Sequence, residues 1–190
     1  MGDLAGEIKR AVLLFAVLAV VLGLIYPLVI TGISQVAFPF QANGEMIKMN
    51  GTVVGSELIG QDFEGAQYFQ GRPSAVDYNA STSGGSNYGP TNQKLIDRIN
   101  QSLTSIRANN SLSPNATVPS DLVLASGSGL DRYISVQSAI LQVPRIAKQR
   151  NISETAVMEL INNTEETPFP WIGQPVVNVL NLNIGLDRIQ

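Results

Sequence analysis

From Ala11 to Gly44 the chain contains no Asp, Glu, Lys or Arg, and its first 23 residues, Ala11 to Ile33, are almost entirely apolar. A stretch of this kind leaves few structures open. As a helix at about 1.5 Å per residue it reaches roughly 35 Å, enough to cross a hydrocarbon core of about 30 Å with slight tilt. It holds fifteen Leu, Ile, Val or Phe residues. At about 0.3 to 0.6 kcal/mol each, insertion gains roughly 4 to 9 kcal/mol, an upper bound because those values apply at the bilayer centre. No other stretch approaches this, so the chain is expected to span a membrane once.

Lys9 and Arg10 precede the run, and the next basic residue is Lys48. Positive residues stay cytoplasmic, which places residues 1–10 inside, a helix at 11–36 in the membrane and an extracytoplasmic domain at 37–190. A cleaved signal peptide would have a shorter apolar core and a small-x-small cleavage site, which Gln35-Val36-Ala37 fits poorly. Tyr26 and Pro27 fall inside the span. Pro27 removes a backbone donor, so a kink or an accommodating neighbour helix is expected there.

The external part is long enough for one compact domain. Outside the first ten residues stand ten Lys and Arg against thirteen Asp and Glu. That balance offers no basic stripe for nucleic acid and no polybasic patch for lipid headgroups. The chain has no cysteine and no histidine. It therefore folds without disulfides, and the common zinc and general-base arrangements are missing. Its carboxylates do not fall in a Ca²⁺-loop spacing.

Phe38 to Gly44 reads as the membrane exit, aromatics followed by a turn. Thr52 to Ile59 is the first expected strand, and Tyr68-Phe69 begins a possible second. Residues 71–90 read as a long irregular loop, of the kind that is functional or mobile. Asn92 to Asn109 is helical by period, with Leu95, Ile96, Ile99, Leu103 and Ile106 on one face. Pro119 opens a short helix toward Ser126. Ser135 caps a helix toward Arg150, with Pro144 marking a break or kink, and Ser153 caps another. Val176 to Leu180 suits a strand passing into a terminal helix. The expected class is α+β: one N-terminal transmembrane helix followed by a mixed α/β extracytoplasmic domain with few short strands. N-x-S/T sequons, among them Asn79, Asn100, Asn109, Asn115, Asn151 and Asn162, suit an exported domain and also arise by chance in an Asn- and Ser-rich chain.

Catalytic patterns are weak. Ser126-Gly127-Ser128-Gly129 is not a nucleophile elbow, and no histidine exists to serve as its base. Asp77, Asp131 and Asp187 are too scattered to argue a carboxylate pair from spacing. Ser83-Gly84-Gly85-Ser86-Asn87 has the composition of an anion-binding nest but lacks the Lys and Ser/Thr of a P-loop. Its plainer reading is a turn whose glycines permit positive φ.

Eight strings in order carry a resemblance over nearly the whole chain. They are Tyr26-Pro27; Phe38-Pro39-Phe40-Gln41-Ala42-Asn43-Gly44; Gly55-Ser56-Glu57-Leu58-Ile59-Gly60-Gln61; Tyr68-Phe69-Gln70-Gly71-Arg72-Pro73-Ser74-Ala75; Ser83-Gly84-Gly85-Ser86-Asn87; Ala125-Ser126-Gly127-Ser128-Gly129-Leu130-Asp131; Gln142-Val143-Pro144-Arg145-Ile146-Ala147-Lys148; and Gly173-Gln174-Pro175-Val176-Val177-Asn178-Val179-Leu180. In these the chain resembles the C subunit of the potassium-transporting P-type ATPase, the Kdp system. Where that family usually continues Pro-His-Ile-Ser after Gly129-Leu130-Asp131, this chain has Arg132-Tyr133-Ile134-Ser135, so the histidine can hardly be an obligatory acid, base or ligand. Gly185 stands where alanine is common, softening the terminal helix by up to about 1 kcal/mol.

The resemblance implies a non-catalytic accessory subunit at the cell membrane, in a complex where one subunit conducts the ion and another hydrolyses ATP. Such subunits are described as catalytic chaperones that raise ATP affinity. ATP and K⁺ then belong to the complex, and no cofactor is expected on this chain. The expected partners are the ion-conducting and ATP-hydrolysing subunits and the lipid bilayer. Tyr26, Pro27 and Gln41, Ala42, Asn43 and Gly44 are the expected contact residues, with Arg72, Ser83 to Asn87, and Gly127, Ser128, Gly129, Leu130 and Asp131 as further candidates. The alternatives are a membrane-anchored extracytoplasmic hydrolase and an anchored ligand-binding module.

Overall fold

The computed structural model describes residues 3–168 and 171–189, so positions 1, 2, 169, 170 and 190 of the expected segments lie outside it. Two compact units are distinguished, residues 1–47 and 48–190.

In the first unit, α1 (Leu4–Val20), a π-helical turn (Val21–Ile25) and α2 (Tyr26–Ala37) run on as one helix. It starts earlier than expected because Asp3 caps it, its Oδ1 accepting from Gly6 N–H at 3.1 Å. The whole Leu4–Ala37 helix is long and apolar enough to cross a membrane, with mean hydropathy 2.9 and none of that window buried. Pro27 does not end it. The chain absorbs the missing donor by widening to the π turn just before it, where Tyr26 N–H reaches back to Val21 O. The expected exit turn is a single turn of helix, α3 (Pro39–Ala42). Asn43 Nδ2 donates to Pro39 O at 2.6 Å and to Gln35 Oε1 at 3.1 Å. Gly44 follows at φ 79°, where its lack of a Cβ is needed.

β1 (Met46–Met49) and β2 (Thr52–Ser56) form a two-stranded sheet. Asn50 and Gly51 join them with φ of 51° and 81°, the double left-handed geometry that an Asn-Gly hairpin turn requires. The expected strand over 52–59 thus stops at Ser56, and its partner β1 is an addition.

In the second unit, α4 (Gln93–Asn109) is capped by Asn92, α5 (Ser120–Val123) is shorter than expected, and β3 (Tyr133–Ser135) leads into α6 (Val136–Arg150). α7 (Glu154–Thr164) and β4 (Glu165–Glu166) follow, then β5 (Val176–Asn178) and α8 (Val179–Leu186). β5 is the centre of an antiparallel three-stranded sheet, with Ile134 opposite Val177 on one side and Glu165 opposite Val177 on the other. α6 packs on α7, α7 on α8, and all three touch β5. Ile134, Val143, Ile146, Val157, Ile161, Val177, Leu182 and Leu186 form the buried core with Phe69. The expected break at Pro144 does not occur. Pro144 lies on the exposed face of α6, where the carbonyl it leaves without a donor, that of Ile140, sits beside an exposed side chain.

The expected strand at Tyr68-Phe69 is not one, although its main chain is paired like one. Asn183 Oδ1 accepts from Phe69 N–H at 2.8 Å while its Nδ2 donates to Phe69 O at 3.0 Å. Gln142 does the same for Gln70, at 2.8 Å and 3.1 Å. Two amide side chains on helices take the place of a neighbouring strand. Phe69 is thereby driven into the core with its backbone satisfied.

Candidate functional site

The candidates drawn from the second unit converge. Residues 71–78 and 83–87 come from the connection between β2 and α4 and residues 126–131 from the one between α5 and β3, and main-chain bonds stitch them together. Ser126 N–H donates to Pro73 O at 3.2 Å, and Gly84 N–H to Ser128 O at 2.8 Å. Ser83 Oγ donates to the same Ser128 carbonyl at 3.0 Å. Ser74 organises its own loop, its Oγ accepting from Val76 and Tyr78 N–H while donating to Gly129 O at 2.8 Å. Gly60 N–H donates to Leu130 O at 2.8 Å, bringing the Gly55–Gln61 string to the same cluster.

Glycine is required here by contact distance. At Gly129, with φ 69°, a Cβ would stand 2.6 Å from Val76 Cγ2 and 2.8 Å from Gly84 O. At Gly60 it would stand 2.3 Å from Asp131 O. Gly84 and Gly85, read above as supplying positive φ, do not have it; at Gly85 the need is again for space, a Cβ there standing 3.0 Å from Gly127 O.

Arg72 and Asp131 form an ion pair at 2.9 Å, both partly exposed, so screening leaves it modest worth. Its geometric role is larger. Asp131 Oδ1 accepts from Tyr133 N–H at 3.0 Å, and the Arg72 carbonyl accepts from the Tyr78 hydroxyl. Burial, then the charges of Asp62 and Asp131, push the Tyr78 phenol up to about 12 against the opposing pull of Arg72. Arg72, Tyr78 and Asp62 also line an open cavity of about 370 Å³ together with residues of α4.

Several N–H groups of the cluster are engaged within it. Gly84 N–H is engaged by Ser128 O, Gly129 N–H by Ser126 O and Leu130 N–H by Ser128 Oγ. Ser83, Asn87, Gly127 and Ser128 are exposed on the outside of this stitched core. Among the described residues no group of three His, Cys, Asp or Glu is placed to hold a metal ion. In the first unit Tyr26 and Pro27 are exposed on the long helix, and Gln41, Ala42 and Asn43 are exposed around α3.

Sequence reasoning missed the polar residues that hold the loops to the helices: Gln142, Arg145, Asn178 and Asn183, all buried. Asn178 caps α8 through its Oδ1 and donates to Glu57 O at 3.2 Å, and Arg132 Nη1 donates to that same carbonyl at 2.6 Å. Arg132, which stands where the family usually has proline, therefore has a positioning contact of its own, and Tyr133 takes the histidine's place. The available signal was an amide or guanidinium at an otherwise apolar helical position, as Gln142 and Arg145 are among Ala139, Val143 and Ile146.

The family described as K⁺-transporting ATPase, c chain, matches residues 8–188. The chain belongs to this family. A potassium-transporting ATPase KdpC subunit of Bradyrhizobium diazoefficiens is 47% identical, the match covering 96% of each chain. One of Caldanaerobacter subterraneus subsp. tengcongensis is 45% identical over 98% of this chain and 95% of its own. One of Rhodopseudomonas palustris is 44% identical over 95% and 96%. As a KdpC chain it is a subunit of the K⁺-transporting ATPase, and its N-terminal helix fits a membrane subunit.

Proposed function

We propose that this chain is a single-span accessory subunit that holds an ATP-driven potassium uptake pump in its working assembly, with residues 1–10 cytoplasmic and residues 37–190 outside. The observation that carries the reading is the family match over residues 8–188 joined to one long apolar helix with no buried face. The helix docks laterally on the ion-conducting subunit, and the external domain sits over the ion entrance. The stitched loop cluster is the recognition surface, its exposed residues Ser83, Asn87, Gly127 and Ser128 carried on a backbone that pays little entropy on docking because it is already ordered. The effect on ATP affinity, described for such subunits, is then transmitted through the assembly, since this side of the membrane holds no cytoplasmic nucleotide.

Affinity capture of the tagged full chain from native membranes is expected to bring both larger subunits with it; capture of the chain alone would end the reading. Withholding the chain from the reconstituted pump is expected to raise KM for ATP. The chain is free of cysteine, so a Ser83→Cys variant reports orientation. An impermeant maleimide should label it on intact cells, and labelling only after the cytoplasmic face is opened would reverse the assignment.

A further inference from the structure

Between β4 and β5 the chain presents Trp171 and Ile172 to solvent, 87% and 81% exposed. Adjacent large apolar side chains are normally half or more covered, and Trp is the residue most enriched among the anchors of protein interfaces. Trp171 is also the sole tryptophan of the chain. The surroundings say what covers it. Glu165 and Glu166 on β4, both exposed, stand at the base of this connection, which itself carries no Lys or Arg between Arg150 and Arg188. Across the sheet Glu166 faces Tyr133, and the Arg132 guanidinium lies over that ring at 4.6 Å while donating to Glu57 O. An anionic lipid surface is repelled by such a segment, whereas a protein pocket with an apolar floor and a basic rim complements it.

We propose that Trp171 and Ile172 are an anchor that inserts into an apolar, basic-rimmed pocket on a larger subunit of the pump. This rests on the assembly reading above but names a different contact from the loop cluster. The glutamates steer the encounter and fix its register, while burial of the indole and the isoleucine supplies the affinity. Among the described residues little covers these two side chains, so their truncation is expected to act on association and to leave the fold alone.

The test incorporates 5-fluorotryptophan into the full chain, which labels only position 171, and adds unlabelled pump subunits in detergent. Assembly is expected to shift the fluorine resonance and to protect it several-fold from a soluble paramagnetic quencher. Trp171→Ala is expected to weaken assembly about 30-fold, the size of a truncated hot-spot anchor, with no change in the denaturation midpoint of the isolated chain. Charge reversal by Glu165→Lys with Glu166→Lys should slow association and remove its salt dependence. A chain that assembles normally while position 171 stays open to the quencher overturns the anchor and leaves the assembly reading standing; a chain that does not assemble at all overturns the latter. Equal protection by phosphatidylglycerol vesicles without any pump subunit would assign the contact to lipid and overturn the proposal.

Discussion

Arg145 donates its Nε to Asn110 Oδ1 at 2.9 Å, joining the middle of α6 to the residue that ends α4. Among the described residues no carboxylate takes part. The same guanidinium donates to Tyr68 O at 3.0 Å, to Gln142 Oε1 at 2.7 Å and to Ala66 O. Burial pulls its pKa below the ordinary arginine value, yet a guanidinium keeps its charge at any physiological pH. A buried cation is thus held by neutral oxygens alone, and it in turn orders the segment that carries Phe69.

Replacing Arg145 with Met would leave Asn110 Oδ1, Tyr68 O and Ala66 O without their donor, while Gln142 Oε1 keeps that of Gln70 N–H. The expected loss is about 3 to 5 kcal/mol, as when one partner of a buried charged network is removed. Arg145→Lys should recover only a small part, because three donors on a point charge cannot reproduce the planar fork. Urea denaturation of the full chain in detergent, followed by circular dichroism, measures both.

Asn183→Ala is expected to cost about 2 to 4 kcal/mol by orphaning both main-chain groups of Phe69, at about 1 to 3 kcal/mol for each unsatisfied buried group. Hydrogen exchange at the Phe69 amide should accelerate out of proportion to the global loss. Exchange that merely tracks global stability would show that the amide clamp is not what protects it.

Acid and alkali should find different residues. Asp121 is opposed by burial, but the N–H of Ser135 and the hydroxyls of Ser138 and Ser135 outweigh this and hold its carboxyl below the usual range. Its stabilisation is therefore complete above the unfolded value of about 3.9 and is lost as the pH falls through the lower folded value. Tyr78 behaves oppositely, its neutral form being favoured. Its contribution is complete below the unfolded value of about 10 and lost as pH rises toward about 12. Denaturation midpoints against pH should lose the acid limb in Asp121→Asn and soften the alkaline one in Tyr78→Phe.

Three glycines should answer alanine differently. At Gly129 the left-handed backbone costs about 1 to 2 kcal/mol before the clash with Gly84 O is counted. At Gly127 a Cβ meets nothing within 4 Å, so the change should be close to neutral. At Gly185 the gain in helix propensity, up to about 1 kcal/mol, is opposed by Leu160 Cδ1 at 2.5 Å from the new atom, a flexible end that can shift. Thermal midpoints should rank Gly129→Ala far below the other two.

Much of this architecture was open to local reading. Ser135 and Ser153 cap the helices expected of them, the helix read by period over 92–109 forms with Asn92 as its cap, and the stretch over 71–90 is irregular. Asn50-Gly51 carried a hairpin signal that was overlooked, since β1 and β2 are too short to show alternation. Tyr68-Phe69 and Pro144 misled for the same reason: each has a local propensity whose outcome depends on what lies opposite. Whether a proline breaks a helix turns on whether the orphaned carbonyl faces water, and a one-dimensional pattern does not contain that.

The membrane span, the helix starts and the family strings follow from the chain alone, because hydrophobic length, capping and turn chemistry act between residues a few positions apart. The meeting of Arg72, Gly84 and Gly129 in one cluster, and the clamping of Phe69 by Asn183, belong to the tertiary structure. Those contacts join residues tens of positions apart, and only the packing of α6 and α8 brings buried donors within hydrogen-bond reach of the loops they hold.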